Sequence, residues 1–171
     1  CSLMADSLFA QEILKTMRMM RRKGTKISFD PNIREELLTD QSVNDVIREA
    51  MGNTSVSMPG VSEPLKITGA VSVDEAVEKC FAYEAMEVIA LKNGSKGSRI
   101  YTRDEAAEIG VYPVEQVDAT GAGDCFDGAF IAALVQGHEA EEAVRFGCAA
   151  GALAVRQKGP MEGASWRKEI E

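Results

Sequence analysis

The sequence predicts an α/β domain with a largely parallel sheet. Short apolar runs at 27–29, 55–58 and 88–91 alternate with longer segments whose apolar residues recur at helical spacing. A small-residue turn, D-A-T-G-A-G-D at 118–124, stands directly before an apolar helix at 125–135. The composition, 45% hydrophobic and 27% charged over 171 residues, is that of one folded domain with a sizeable core.

In chain order, 7–22 carries Leu8, Phe9, Ile13, Leu14, Met17 and Met20 at helical spacing, ends on basic residues, and is closed by Gly24. The strand at 27–29 runs into F-D-P-N-I-R, where Pro31 holds Asp30 extended. Open α/β sheets bind ligands at the C-terminal ends of their strands, so Asn32 and Arg34 are candidates to face a polyol or a carboxylate. A turn with solvated side chains is the alternative. A helix is expected at 41–51 and a strand at 55–58. In the stretch V-S-E-P-L-K-I-T-G at 61–69, an exposed loop carboxylate is the alternative to a functional role for Glu63. Ser72, with Glu75 and Ala76 behind it, starts a capped helix reaching about Tyr83.

The strand at 88–91 enters K-N-G-S-K-G-S, a hairpin turn, and continues as a strand at 99–102. Residues 104–108 are polar surface. A strand at 109–114 delivers the chain to Asp118. His138 sits in a turn with nothing expected nearby to orient it. A second small-residue helix spans 141–157, with Val144, Cys148, Ala152 and Val155 in register, until Lys158-Gly159-Pro160 breaks it.

The net charge of −8 disfavours nucleic acid and anionic membranes as partners. No apolar run reaches a membrane span, no leader is legible, and a reduced cytoplasmic setting is expected. Four isolated cysteines and one histidine make a Cys/His zinc site an unpromising reading. No Walker pattern occurs.

The turn at 118–124 carries the chemistry. Glycine lets a backbone approach a ligand closely, and the first N–H groups of a helix have no internal partner. Gly121, Ala122 and Gly123 can therefore hold phosphate oxygens. Asp124 is a poor anion ligand but a sensible base for a hydroxyl attacking phosphorus. The alternative is an N-cap with no chemistry. Cys125, beside it, is read as core filling; a thiolate activated by the helix start is the competing reading.

D-A-T-G-A-G-D-C-F-D-G-A-F resembles the signature D-T-x-G-A-G-D of the ribokinase-like (pfkB-type) carbohydrate kinases, with Ala119 where threonine is common. D-P-N-I-R at 30–34 is similar to a segment of the 2-keto-3-deoxygluconate kinase and fructokinase branches. The run 61–69 resembles the family's N-x-x-E segment, with Gly60 where asparagine is usual. The turn at 92–97 resembles K-x-G-x-x-G under the adenine nucleotide.

The resemblance implies a three-layer α/β/α fold and transfer of the ATP γ-phosphoryl group to a primary hydroxyl of a sugar or sugar acid. Asp124 would be the general base and Gly121 to Gly123 the anion hole. Lys92, Gly94, Thr120, Gly121 and Gly123 would contact nucleotide. Asn32, Arg34 and Asp124 would face the acceptor. Glu63 and Asp118 would lie near magnesium. A monovalent cation also belongs to the pattern, but M-E-G-A-S at 161–165 departs from the family's G-A-x-x-S, so no ligand is assigned to it. The likeness covers all of 1–171 and corresponds to the C-terminal part of the family, without the N-terminal sugar-binding half and lid. A sheet cut there exposes an apolar edge, which fits either a piece of a longer kinase or a homo-oligomer. A nucleotide-binding module without catalysis, and a structural domain with Asp124 as a cap, are the alternatives.

Overall fold

The computed structural model describes residues 4, 6–33 and 41–170. They form two compact units, Cys1–Leu91 and Lys92–Glu171.

In the first unit, α1 (Ser7–Arg22) is opened by Asp6, whose carboxylate accepts from the N–H groups of Leu8 at 2.9 Å and Phe9 at 3.1 Å. Its buried face presents Ala10, Leu14 and Met17. Leu14 and Met17 join Met4 and Ala50, with Ile27 and Phe29 packed alongside, in the core. Gly24 ends the helix run with φ +79°. β1 (Ser28–Phe29) pairs in parallel with β2 (Val56–Ser57), and β2 with β3 (Val88–Lys92). α2 (Gln41–Gly52) lies between β1 and β2 in sequence.

The loop alternative for Glu63 gives way to a short helix, α3 (Glu63–Thr68), with proline in its first turn and Gly69 left-handed at its end, φ +66°. Proline early and glycine late are helix signals in a segment otherwise too short to show periodicity. α4 (Val73–Phe81) starts at Ser72 as expected, and its hydroxyl accepts from the N–H of Glu75 at 3.2 Å.

The second unit holds a hairpin and two long helices. β4 (Ser98–Tyr101) pairs antiparallel with β5 (Ala106–Ile109). This corrects the strand expected at 109–114. The hydroxyl of Thr102 accepts from the N–H of Glu105 at 3.0 Å, closing a tight turn, so pairing resumes at once at Ala106. Beyond Ile109 the chain carries Gly110 and Pro113 and no regular element. Proline has no N–H to give a ladder. The sheet prediction also needs this antiparallel pair added to its parallel ladders.

α5 (Ala122–Val135) and α6 (Ala140–Ala154) pack against each other, and α6 also packs on β4 and β5. Phe130 is fully buried and its ring stands 6.0 Å from that of Phe126. Full burial of such a ring is worth about 1.5–3 kcal/mol. A Cβ at Gly147 would come within 3.0 Å of the Phe126 ring, so a glycine lets the two helices close. A four-residue helix, α7 (Arg167–Ile170), follows. No helix among the described residues is long and apolar enough to cross a membrane.

Candidate active site

The second unit contains a cavity of about 430 Å³. Gly94 and Gly97 of the turn after β3, the irregular run 111–114, and Cys148 and Ala152 of α6 line much of it. Lys92, Ala122 and Gly123 line it too, so it reaches the first turn of α5. Its lining is mostly apolar, as small-molecule sites are, with few polar groups to orient a ligand. The Cys148 thiol stands 3.0 Å from the Ser98 hydroxyl, and burial pushes its pKa up, so it is an inert wall group.

The start of α5 is built on Gly121. It is left-handed, φ +81°, and no side chain caps the helix. A Cβ there would lie 2.1 Å from the carbonyl oxygen of Pro160, so only glycine fits. Gly123 and Asp124 follow within the first turn, where N–H groups lack intrahelical acceptors. Asp124 is exposed and lies inside the helix rather than at its cap. The capping alternative for Asp124 therefore fails, because the cap position belongs to Gly121.

Asp118 is the tie that holds this turn. One carboxylate oxygen accepts from the N–H of Thr120 at 2.9 Å and its hydroxyl at 2.7 Å. The other accepts from the N–H of Gly159 at 3.0 Å. These donors, the Thr120 N–H foremost, hold the Asp118 carboxyl below its ordinary range. Val117 and Asp118 also donate their N–H groups to the carbonyl of Val155 at 2.8 and 3.0 Å. The strand-to-helix loop is thus moored to the end of α6.

Lys92 reaches the same place from β3. Its ammonium lies 2.9 Å from Asp127, a pairing the sequence reading did not include. The helical spacing of Asp124 and Asp127 was visible, but nothing in sequence pairs Asp127 with a residue 35 positions away. Cys125 is half-buried, and burial first, then the neighbouring Asp124 charge, raises its pKa. That agrees with core filling. His138 corrects an expectation: its Nδ1 is 2.9 Å from Glu142, and its ring lies 5.2 Å from that of Phe146, so the i,i+4 spacing supplies an orienting partner.

In the first unit, Glu63 is buried rather than exposed, which overturns the loop reading. One carboxylate oxygen accepts from the N–H of Ile33 and the other from that of Gly60 at 2.7 Å. Glu63 thereby clamps the segments that follow β1 and β2. Asn32 lies in the first of these, with φ +40° and its N–H on the Asp30 carboxylate at 3.1 Å. Arg34 lies outside the described residues. The structure therefore gathers Lys92, Gly94, Ala122 and Gly123 around one cavity, with Asp124 next in the chain, while Asn32 and Glu63 belong to the other unit.

The family model for pfkB family carbohydrate kinases matches residues 3–167. The chain belongs to the pfkB family of carbohydrate kinases. It is 32% identical over 139 residues to a cytidine kinase of Thermococcus kodakarensis, covering 80% of this chain and 49% of that protein. It is 31% identical over 156 residues to a 2-dehydro-3-deoxygluconokinase of Bacillus subtilis, covering 90% and 48%. Among solved structures, an E. coli protein provisionally named ribokinase II, in complex with ATP and magnesium, superposes with a TM-score of 0.90 at 36% identity, covering 95% of this chain and 52% of that one. The pfkB chain thus spans about half the length of the curated relatives it matches. Its α/β fold is that of these ribokinase-like neighbours.

Proposed function

We propose that this chain is the nucleotide-binding and catalytic part, C-terminal within the family's order, of a kinase that transfers the γ-phosphoryl group of ATP to a primary hydroxyl of a sugar or sugar acid. The observation that carries the proposal is the cavity that ends on an uncapped helix start, with an exposed carboxylate one residue further on. Sugar kinases among the relatives, and ATP with magnesium in the E. coli neighbour, support it. A 2-keto-3-deoxygluconate-like acceptor is the favoured choice, with Asn32 and Arg34 facing it.

In this reading Lys92, Gly94 and the Thr120–Gly123 turn hold the nucleotide. The N–H groups of Gly121 and Gly123 face the γ-phosphoryl oxygens and stabilise charge that builds there, joined by that of Ala122 once it leaves the Ala119 carbonyl, to which it donates at 3.2 Å. Asp124 accepts the proton of the acceptor hydroxyl as its oxygen forms a bond to Pγ, and the bond from Pγ to the bridging oxygen breaks to release ADP. Magnesium, when bound with the triphosphate, offsets phosphate charge. No cluster of three or more acidic, histidine or cysteine residues among the described residues forms a cage for it. Asp118 is the carboxylate of the second unit proposed to act near the ion, and Glu63, in the first unit, is proposed for the same role. The setting proposed is the cytoplasm, where ATP is supplied.

Calorimetric titration with magnesium-ATP, followed by ADP release with and without sugar, tests the reading. Heat and a raised melting temperature are expected. No response at millimolar nucleotide overturns it. Binding without sugar-dependent ADP release identifies a nucleotide-binding module.

A further inference from the structure

We propose that Asp127 is a positioning residue of the nucleotide site, holding the Lys92 ammonium beside the first turn of α5. The inference rests on the reading of the cavity as the nucleotide site. Lys92 Nζ lies 2.9 and 3.1 Å from the two carboxylate oxygens of Asp127. The side chains are only 17% and 15% exposed. Nζ is also 3.7 Å from where a Cβ on Gly123 would stand. A positive charge is thus parked against the second residue of α5, on the wall of the cavity.

A lysine has a long flexible stem, and freezing it when a ligand arrives costs affinity. A two-point grip by a largely buried carboxylate removes that freedom in advance. Asp124 and Asp127, three apart on α5, share one helix side. Their situations differ: Asp124 is exposed and available to a hydroxyl, whereas Asp127 is engaged with Lys92. One carboxylate near the phosphates is kept for chemistry, and the charge of the other is compensated.

Position and charge predict opposite signs. If Asp127 acted only through its charge, Asp127→Asn would remove repulsion and tighten magnesium-ATP binding. If it positions Lys92, the same change loosens the ammonium and weakens binding. In a Lys92→Met background there is no ammonium to hold, and Asp127→Asn then only removes a negative charge beside the nucleotide site and tightens binding.

The test is a double-mutant cycle on the whole chain. It reads the magnesium-ATP Kd by calorimetry, with melting temperatures taken without nucleotide. Asp127→Asn is expected to raise Kd about threefold to tenfold with Lys92 present, and to lower it with Lys92→Met, within the coupling range of contacting residues. Tighter binding with Lys92 present, or the same shift in both backgrounds, overturns the assignment and leaves the nucleotide site standing. If Asp127→Asn melts below the assay temperature, the cycle run with Asp127→Glu decides. A loss confined to the Lys92 background supports positioning; no loss or an equal loss overturns it. A wild-type chain that binds no magnesium-ATP overturns the nucleotide site and this inference together.

Discussion

Two helix starts in this chain are finished in opposite ways. At α4, Ser72 caps the N–H of Glu75, and the Glu75 carboxylate accepts from the N–H of Val71 at 2.9 Å. The orphan donors there are answered from within the chain, in a variant of the capping box that reaches one residue further back. At α5 the cap is Gly121, and no side chain answers the first turn. A closed start is complete as it stands. An open start leaves donors and the positive end of the helix dipole for an anion. The openness of α5 is not looseness: Gly121 is fixed by the carbonyl of Pro160, and Asp118 moors the loop on both sides.

The sharpest break between the two starts is Asp124→Asn in a protein that also carries the acceptor half. It should lower kcat by about 10²–10⁴, the usual worth of a general base, with little change in melting temperature. Unchanged turnover would make Asp124 a bystander and the two starts chemically alike.

Next in size is Gly121→Ala. The left-handed backbone costs an alanine about 1–2 kcal/mol, and overpacking against Pro160 typically adds about 1–3 kcal/mol. Gly24→Ala is the control, since it has a similar φ of +79° and nothing within 4 Å of the added Cβ. Denaturant unfolding should show a clearly larger loss at Gly121, with nucleotide binding lost alongside. Equal losses would deny the close approach.

Ser72→Ala should cost about 0.5–2 kcal/mol, the range for a removed cap, and leave the magnesium-ATP Kd unchanged. A change in Kd would make α4 more than a scaffold.

The smallest effect is at Asp118, whose carboxyl is held below its ordinary value of 3.8 by the Thr120 N–H first, then the Thr120 hydroxyl and the Gly159 N–H. A depressed folded pKa stabilises above the unfolded value and is lost as pH falls through the folded one. The melting-temperature gap between wild type and Asp118→Asn should therefore be flat from neutrality to about pH 5 and shrink below about pH 4. A gap independent of pH would exclude the carboxylate charge as the tie.

Much of this was legible in sequence because it rests on local patterns. Helix α1 has the bounds its apolar period gave, and Ser72 caps where a capping box was read. The small-residue turn before α5 was legible from glycine spacing, since close backbone approach needs small residues wherever it occurs. The clamp at Glu63 was hidden, because its two donors belong to segments 30 and 3 residues away, and only folding brings both to one carboxylate. The Lys92–Asp127 pair was hidden for the same reason. Strand β5 was misplaced because Ala106, Ala107 and Glu108 are weak strand formers, and pairing with β4 overrides them. The cavity wall at 111–114 was misread as strand because Val111, Tyr112 and Val114 are strand formers, whereas Pro113 has no N–H to give a ladder and the run is irregular.

The void at Gly147 has a mechanical consequence. The Phe126 ring fills the space a side chain there would occupy, so α5 is indexed against α6 at one notch. Sliding α5 along its axis by one residue is a travel of about 1.5 Å. That would carry the ring away from the space opposite Gly147. A ligand pulling on the first turn therefore meets a helix that cannot move as a piston. If the first turn of α5 holds a ligand, side chains that can turn, rather than a sliding helix, are the parts left to adjust to it.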